Sequence, residues 1–586
     1  MNGHVTLAVE HVEPVETFDK GSIDYDVLAY LIQLYGSAQG QRLHQDLRQK
    51  ALDTAASINS VDRRSACEAL LICYGDSLQR SGHRPLQVLG EFAKEYLEGA
   101  VSGIHILPFF PSSSDDGFAV VDYRQVRSDL GDWSDIKDLS RQFDLMVDLV
   151  INHCSRENLW FMDYVTNQAP GKDYFHELTG APDLTEVLRP RNSPLHTEIH
   201  TRRGIKKVWT TFSDDQIDLN FANPQVLLEF ADILFFYARM GARYIRLDAV
   251  AYLWKRSGTT CMSLPETHMV VRILRGLIEV AELPLVLITE TNVPHEENIS
   301  YFGAGNEAHL VYQFSLAPLL LFSYLFSDAR ALVDWTRQLQ PPPPGCSYFN
   351  FISSHDGIGL RPLEGLMSES NIQRLIDAVH AQGGLASMRS AENGEERAYE
   401  LNIALFSAFE GLTNSVAAFI GAHQLMLAYQ GVPGIYLNAL VGTLNDYREM
   451  ESTGRTRSIN RGHWDVDELA AAVANAESHH AQVFSALASS LRLRTDQEAF
   501  GADSGQRFLT GGSDHLMLLR EAERQRILVV ASFTDGDQSL PWPSELESMQ
   551  VPVVDLLTGR QFQPDQPISL HAFQVLWLEL TEGSYA

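Results

Sequence analysis

"YIRLDAVAYLWK", residues 244–255, sets an arginine and an aspartate at the end of a run that otherwise reads as a buried strand. Arg246 and Asp248 lie two apart, so on a strand they share one face. An internal salt bridge would make such a pair tolerable. Whether it is more than that depends on what the other strands carry at the same end.

Seven further short apolar runs have the same character: "ALLICYGD" (69–76), "GIHILPF" (103–109), "LMVDLVINH" (145–153), "LVLITE" (285–290), "HLVYQF" (309–314), "YFNFISSHD" (348–356) and "GIYLN" (434–438). They are continuous rather than alternating, as expected of strands buried on both faces. Helical spacing fills most gaps, as in "VLLEFADILFFYARMG" (226–241). Eight βα units predict a (β/α)8 TIM barrel. With an N-terminal helical extension over 1–66, this gives a barrel over 67–504. Loop insertions are expected at about 155–225 and about 360–402, and a C-terminal antiparallel β domain over 505–586.

Asp76, His153, Asp248, Glu290, His355 and Asp356 all fall at predicted C-terminal strand ends, where a barrel builds its active site. Three carboxylates meeting there repel one another, which raises the pKa of at least one. Such a set suits glycoside chemistry, in which one carboxylate attacks the anomeric carbon and another protonates the leaving oxygen. Arg246 would keep Asp248 ionised and aimed.

The bulk properties narrow the partners. A net charge of −30 over 586 residues disfavours nucleic acid and anionic membrane. The five cysteines are odd in number and form no CxxC pair, so neither a disulfide framework nor a zinc site is expected. The first residues read as an irregular start without a secretory signal, and "LAPLLLFSYLF" (316–326) is about half a membrane span. A cytoplasmic protein, monomer or homodimer, is expected.

"LMVDLVINH", "YIRLDAV", "LITETN" and "FISSHDG" resemble, in order, the four signature regions of the α-amylase superfamily, glycoside hydrolase family 13. "HILPFFPSSSDDGFAVVDYRQV" (105–126), "RPR" (189–191), "TNVPHEENISYFG" (291–303) and "INR" (459–461) resemble its sucrose-phosphorylase-like branch. The resemblance implies Asp248 as nucleophile, Glu290 as acid and then base, and Asp356 as stabiliser of the transition state. The nucleophile and acid should stand about 5–5.5 Å apart. It also implies that Asp116, His153 and Arg457 grip one glucose, that Phe212 and Tyr252 wall it, and that Arg191 and Tyr399 receive phosphate and acceptor.

The implied activity is a retaining phosphorylase that releases α-glucose 1-phosphate from a small α-glucoside. A hydrolase or transglucosylase on the same barrel, and a non-catalytic transporter heavy chain, are the competing readings. Glu400 departs from the branch, "YELN" standing where "YQVN" is usual. The N-terminal extension and the lead into the RPR loop resemble relatives acting on glucosylglycerate, glucosylglycerol or sucrose 6-phosphate. Arg202, Arg203, Arg389 and Arg397 could favour an anionic acceptor. Glu392, Glu395, Glu396 and Glu400 dilute their charge, so glycerol is the expected acceptor and 2-O-α-glucosylglycerol the expected substrate. Superfamily amylases often bind calcium through an asparagine like Asn152. No acidic calcium loop is visible, so no metal and no organic cofactor are expected.

Overall fold

The computed structural model describes residues 20–58, 69–191, 193–390, 396–546 and 549–580. The expected irregular start, Cys67, Glu392 and Glu395 lie outside them.

Eight parallel strands close a barrel in chain order: β1 Leu70–Cys73, β2 Gly103–Ile106, β3 Asp144–Val150, β4 Ala242–Asp248, β5 Val286–Thr289, β6 Leu310–Tyr312, β7 Ser347–Asn350 and β8 Val432–Tyr436. Each overlaps one of the eight apolar runs, and four of them begin one or two residues before it. Their side chains are almost wholly buried, because helices cover the outside and side chains fill the inside. Register aligns Asp148 of β3 with Arg246 of β4, and Arg246 with Ile288 of β5. Charged residues at the ends of adjacent strands are thereby brought to one level.

Helices α1 (Lys20–Tyr35) and α2 (Ser37–Ser57) pack on the outside of the barrel, against the helices Pro224–Arg239 and Pro265–Val280. Lys50 pairs with Asp232 at 2.6 Å, and the Tyr35 hydroxyl donates to the Phe221 carbonyl at 2.8 Å. A Cβ at Gly276 would come within 2.3 Å of a Val27 methyl, so this approach requires glycine.

Two long connections rise over the C-terminal mouth. After β3 come a helix, Leu159–Thr166, and a hairpin, His196–Thr201 with Gly204–Trp209. After β7, the strands Ile358–Gly359, Glu396–Asn402 and Leu385–Ser390 form a three-stranded sheet. The C-terminal region is strand-rich, with a six-stranded sheet from Gly505–Gly511 to Val575–Leu580 and a two-stranded one. Among the described residues, no helix is long and apolar enough to cross a membrane.

Candidate active site

Arg246 is 2% exposed and does not make a simple salt bridge. Its Nη1 donates to Asp148 at 2.5 Å and to Asp248 at 2.7 Å, and its Nη2 lies 3.8 Å from Glu290. Asp148 is itself bonded to His105 at 2.7 Å. One guanidinium therefore links two carboxylates of the mouth to a third beneath it. The turn after β4 puts Ala249 in the left-handed region (φ 52°), and the Ala249 N–H donates to Glu290 at 2.9 Å. Strain of this kind is held only where the surroundings fix it, and it gathers at functional sites.

Asp248, Glu290 and Asp356 line one pocket together with Arg246, His153, His355, Phe212, Tyr252, Tyr399 and Arg457. Burial raises the pKa of Asp248 well above the ordinary range, with Arg246 opposing and Glu290 adding to the rise. Burial also raises Glu290, and Asp356 repels its charge. Asp356 goes the other way. Burial would raise it, but Arg457, His355 and two further arginines hold it well below the usual range. Burial pushes His153 down to about 4 and His355 down to about 3, so both imidazoles are neutral at ordinary pH. Phe118 stacks on His355 with centroids 5.1 Å apart, and Phe212 packs on His153 and edge-on to Tyr252.

Asp116, Glu400 and Arg203 are arranged differently from expectation. Asp116 does not line the pocket; it turns outward to Arg455, at 2.8 Å, and to Arg461. Its neighbour Asp115 faces inward and accepts from Gln216 at 3.0 Å, with Arg191 at 3.5 Å. Both aspartates have positive φ, so the turn "SDDG" alone decides which carboxylate enters. Arg191 and Glu400 line the adjoining vestibule with Arg455 and Tyr399, and Tyr399 also reaches the inner pocket. Glu400 is buried and takes two hydrogen bonds from Arg457, which also reaches Asp356 at 2.6 Å. Arg203 is committed to Glu177 and Tyr164, away from the pocket.

Sequence reasoning passed over Asp115, Phe118, Gln216, Asn292 and Arg461. The DDG turn offered two equivalent candidates for an inward carboxylate. The "INR" motif did contain Arg461, whose Nε donates to the His355 carbonyl at 2.8 Å. Gln216 comes from an insertion and carried no signal. The Asn152 side-chain oxygen accepts from Lys255 Nζ at 2.9 Å, and the same ammonium lies 2.6 Å from Asp218. Lys255 also donates to the Tyr252 carbonyl, and Asn152 Nδ2 lies 3.2 Å from His153 Nδ1. Cys154 is buried on the short strand His153–Ser155 that follows β3, paired through its backbone with Ile217.

Residues 95–356 match the family model "Alpha amylase, catalytic domain". The chain is 40% identical over 569 residues to a glucosylglycerate phosphorylase of Spirochaeta thermophila, covering 93% of this chain and 97% of that protein. It is 30% identical over 414 residues to a glucosylglycerol phosphorylase of Marinobacter adhaerens, covering 68% of this chain and 82% of the relative. In three dimensions it resembles the crystal structure of sucrose 6F-phosphate phosphorylase from Thermoanaerobacter thermosaccharolyticum. The TM-score is 0.70 at 24% identity, over 88% of this chain and 100% of that one.

Proposed function

The chain belongs to the α-amylase family, in its glycoside phosphorylase branch, and from that premise we propose that it is a retaining glucosylglycerate phosphorylase. It converts 2-O-α-glucosylglycerate and inorganic phosphate reversibly to α-glucose 1-phosphate and glycerate. The observation that carries the chemistry is the single Arg246 guanidinium reaching both Asp248 and Glu290 in one pocket. Two carboxylates so placed cannot both ionise freely. Burial raises both carboxyls, so the pair holds a proton. Arg246 donates to Asp248 at 2.7 Å and only approaches Glu290 at 3.8 Å. We therefore assign that proton to Glu290 and the charge to Asp248, against the rise that burial alone gives Asp248.

Asp248 attacks the anomeric carbon as the bond to the glycerate oxygen breaks. Glu290 gives that oxygen its proton, and a β-glucosyl ester of Asp248 results. A phosphate oxygen then attacks from the face that glycerate left. Glu290 takes the phosphate proton, the ester bond breaks and the α configuration returns. Asp356 is kept ionised by Arg457 and its neighbours, so it supports the positive charge that develops on the ring. Asp115, Arg457 and neutral His153 and His355 hold the hydroxyls of one glucose. Arg191 and Tyr399, at the vestibule, receive phosphate.

The acceptor departs from the glycerol expected of the sequence. The 40% identity along nearly the whole of a glucosylglycerate phosphorylase supports glycerate over glycerol, whose phosphorylase matches at 30% over a shorter span. The test is glucose 1-phosphate release in phosphate buffer from glucosylglycerate, glucosylglycerol, sucrose and sucrose 6-phosphate. Release chiefly from glucosylglycerate is expected. Free glucose in place of glucose 1-phosphate would overturn phosphorolysis, and release chiefly from another donor would overturn the acceptor.

A further inference from the structure

The insertion after β7 carries two arginines whose charges the catalytic pocket does not use. Arg361 opens a short turn directly after the strand Ile358–Gly359, and Arg389 lies on Leu385–Ser390, the far strand of the same sheet across Glu396–Asn402. Arg361 is buried. Its Nη1 points at the sulfur of Met262 at 3.7 Å, and its Nε has no hydrogen-bond partner among the described residues. Arg389 is similar: Nη2 donates to Glu364 Oε1 at 2.9 Å, and Nε is buried without a partner among the described residues. Arg361 Nε stands 3.9 Å from that same Glu364 oxygen. Two guanidiniums thus flank one half-exposed carboxylate.

Unsatisfied guanidinium nitrogens away from water are costly, and an anion that accepts from them removes the cost. Arg397 stands opposite Arg389 in the sheet and adds a third cation nearby, so the cluster is net positive and suits an anion.

Neither arginine lines the pocket itself; both lie behind its wall on the Glu290 side. The strand before Arg361 runs so close to Asn292 that a Cβ at Gly359 would come within 2.7 Å of Asn292 Oδ1. Asn292 lines the pocket beside Glu290, and its buried Oδ1 has no partner among the described residues. Met262, which Arg361 touches, packs in one cluster with Tyr252, another wall of the pocket. The Tyr252 hydroxyl feels Arg361, Arg389 and Glu290 together. Glucose-side groups such as Asp115 and His153 belong to a different wall, next to Gln216.

We propose that Arg361 and Arg389 bind the carboxylate of the acceptor and so select glycerate over neutral polyols. The assignment rests on the phosphorylase reading above. Asn292 Oδ1 is then free to accept from an acceptor hydroxyl beside the acid.

The experiment is the reverse reaction. Glucose 1-phosphate serves as donor, phosphate release is followed, and glycerate, glycerol and fructose 6-phosphate are compared for the wild type, Arg361→Gln, Arg389→Gln and Arg389→Lys. The ratio of kcat/KM for glycerate to that for glycerol is expected to fall at least about tenfold in each Gln variant, chiefly through KM for glycerate, with Arg389→Lys intermediate. If Arg361→Gln does not fold, Arg389→Gln and Arg389→Lys carry the test. An unchanged ratio in folded variants, with a wild type that prefers glycerate, overturns the arginine assignment alone. A wild type that prefers glycerol overturns it together with the acceptor. Preference for fructose 6-phosphate overturns carboxylate recognition. A wild type that releases no phosphate with any acceptor overturns the phosphorylase reading and this assignment with it.

Discussion

Glu400 grips Arg457 through two hydrogen bonds, of 2.9 and 2.5 Å, while the same guanidinium reaches Asp356 at 2.6 Å. The residue that departs from the branch pattern thus aims a cation at a carboxylate of the pocket. Glu400→Gln keeps one acceptor and loses the charge. It should cost up to about 3 kcal/mol of stability and raise KM for the glucoside, read by thermal unfolding and by initial rates. Unaltered values for both would reduce Glu400 to a packing residue.

Asp248→Asn should lower glucosyl transfer by more than about a thousandfold with the fold intact. Circular dichroism and initial rates, from either substrate direction, check this. Appreciable activity would sink the nucleophile assignment.

The raised pKa of Glu290 has a sign that thermal unfolding can test. The folded state binds this proton more tightly than the unfolded chain does. Its stabilising effect is therefore complete below the unfolded value of about 4.3 and is lost as pH rises through the folded value. Glu290→Gln removes the repelled charge and should raise Tm near pH 7. The gain should vanish as pH falls toward 4. Activity in the wild type should also fall as pH rises through the folded pKa of Glu290, and that alkaline limb should be missing from whatever rate Glu290→Gln retains.

His153 and His355 act at the other end. Burial depresses both, to about 4 and about 3. The unfolded chain takes up their protons first, near pH 6.5, so stability is complete above that and is lost as pH falls toward 4. His355→Asn should flatten this slope, measured as Tm against pH.

Arg191→Ala should raise KM for phosphate at least about tenfold and increase the share of free glucose. If the phosphate dependence is unchanged, the anion enters elsewhere.

The barrel was legible because strands buried on both faces must be continuous apolar runs, and those runs in this chain are short and well separated. The meeting of Asp248, Glu290 and Asp356 at one mouth was legible because a charged residue ending such a run has few other reasons to be there. The choice between Asp115 and Asp116 was not legible, since two adjacent backbone dihedrals decide it. The expectation of glycerol, which the relatives support less than glycerate, rested on a related reading. Glu400 looked like a neighbour that would dilute the charge of Arg389, but its carboxylate turns to Arg457 instead. Arg361, far from the other arginines in sequence until the sheet folds, was not considered.

Lys255 binds Asn152, Asp218 and the carbonyl of Tyr252 with one ammonium group. The positive charge that braces the His153 strand end against the Tyr252 loop is tethered covalently to the chain. A chelator cannot strip it, and a change in the salts of the medium cannot exchange it. At this corner of the pocket, alignment is inherited with the polypeptide and does not have to be supplied by the surroundings.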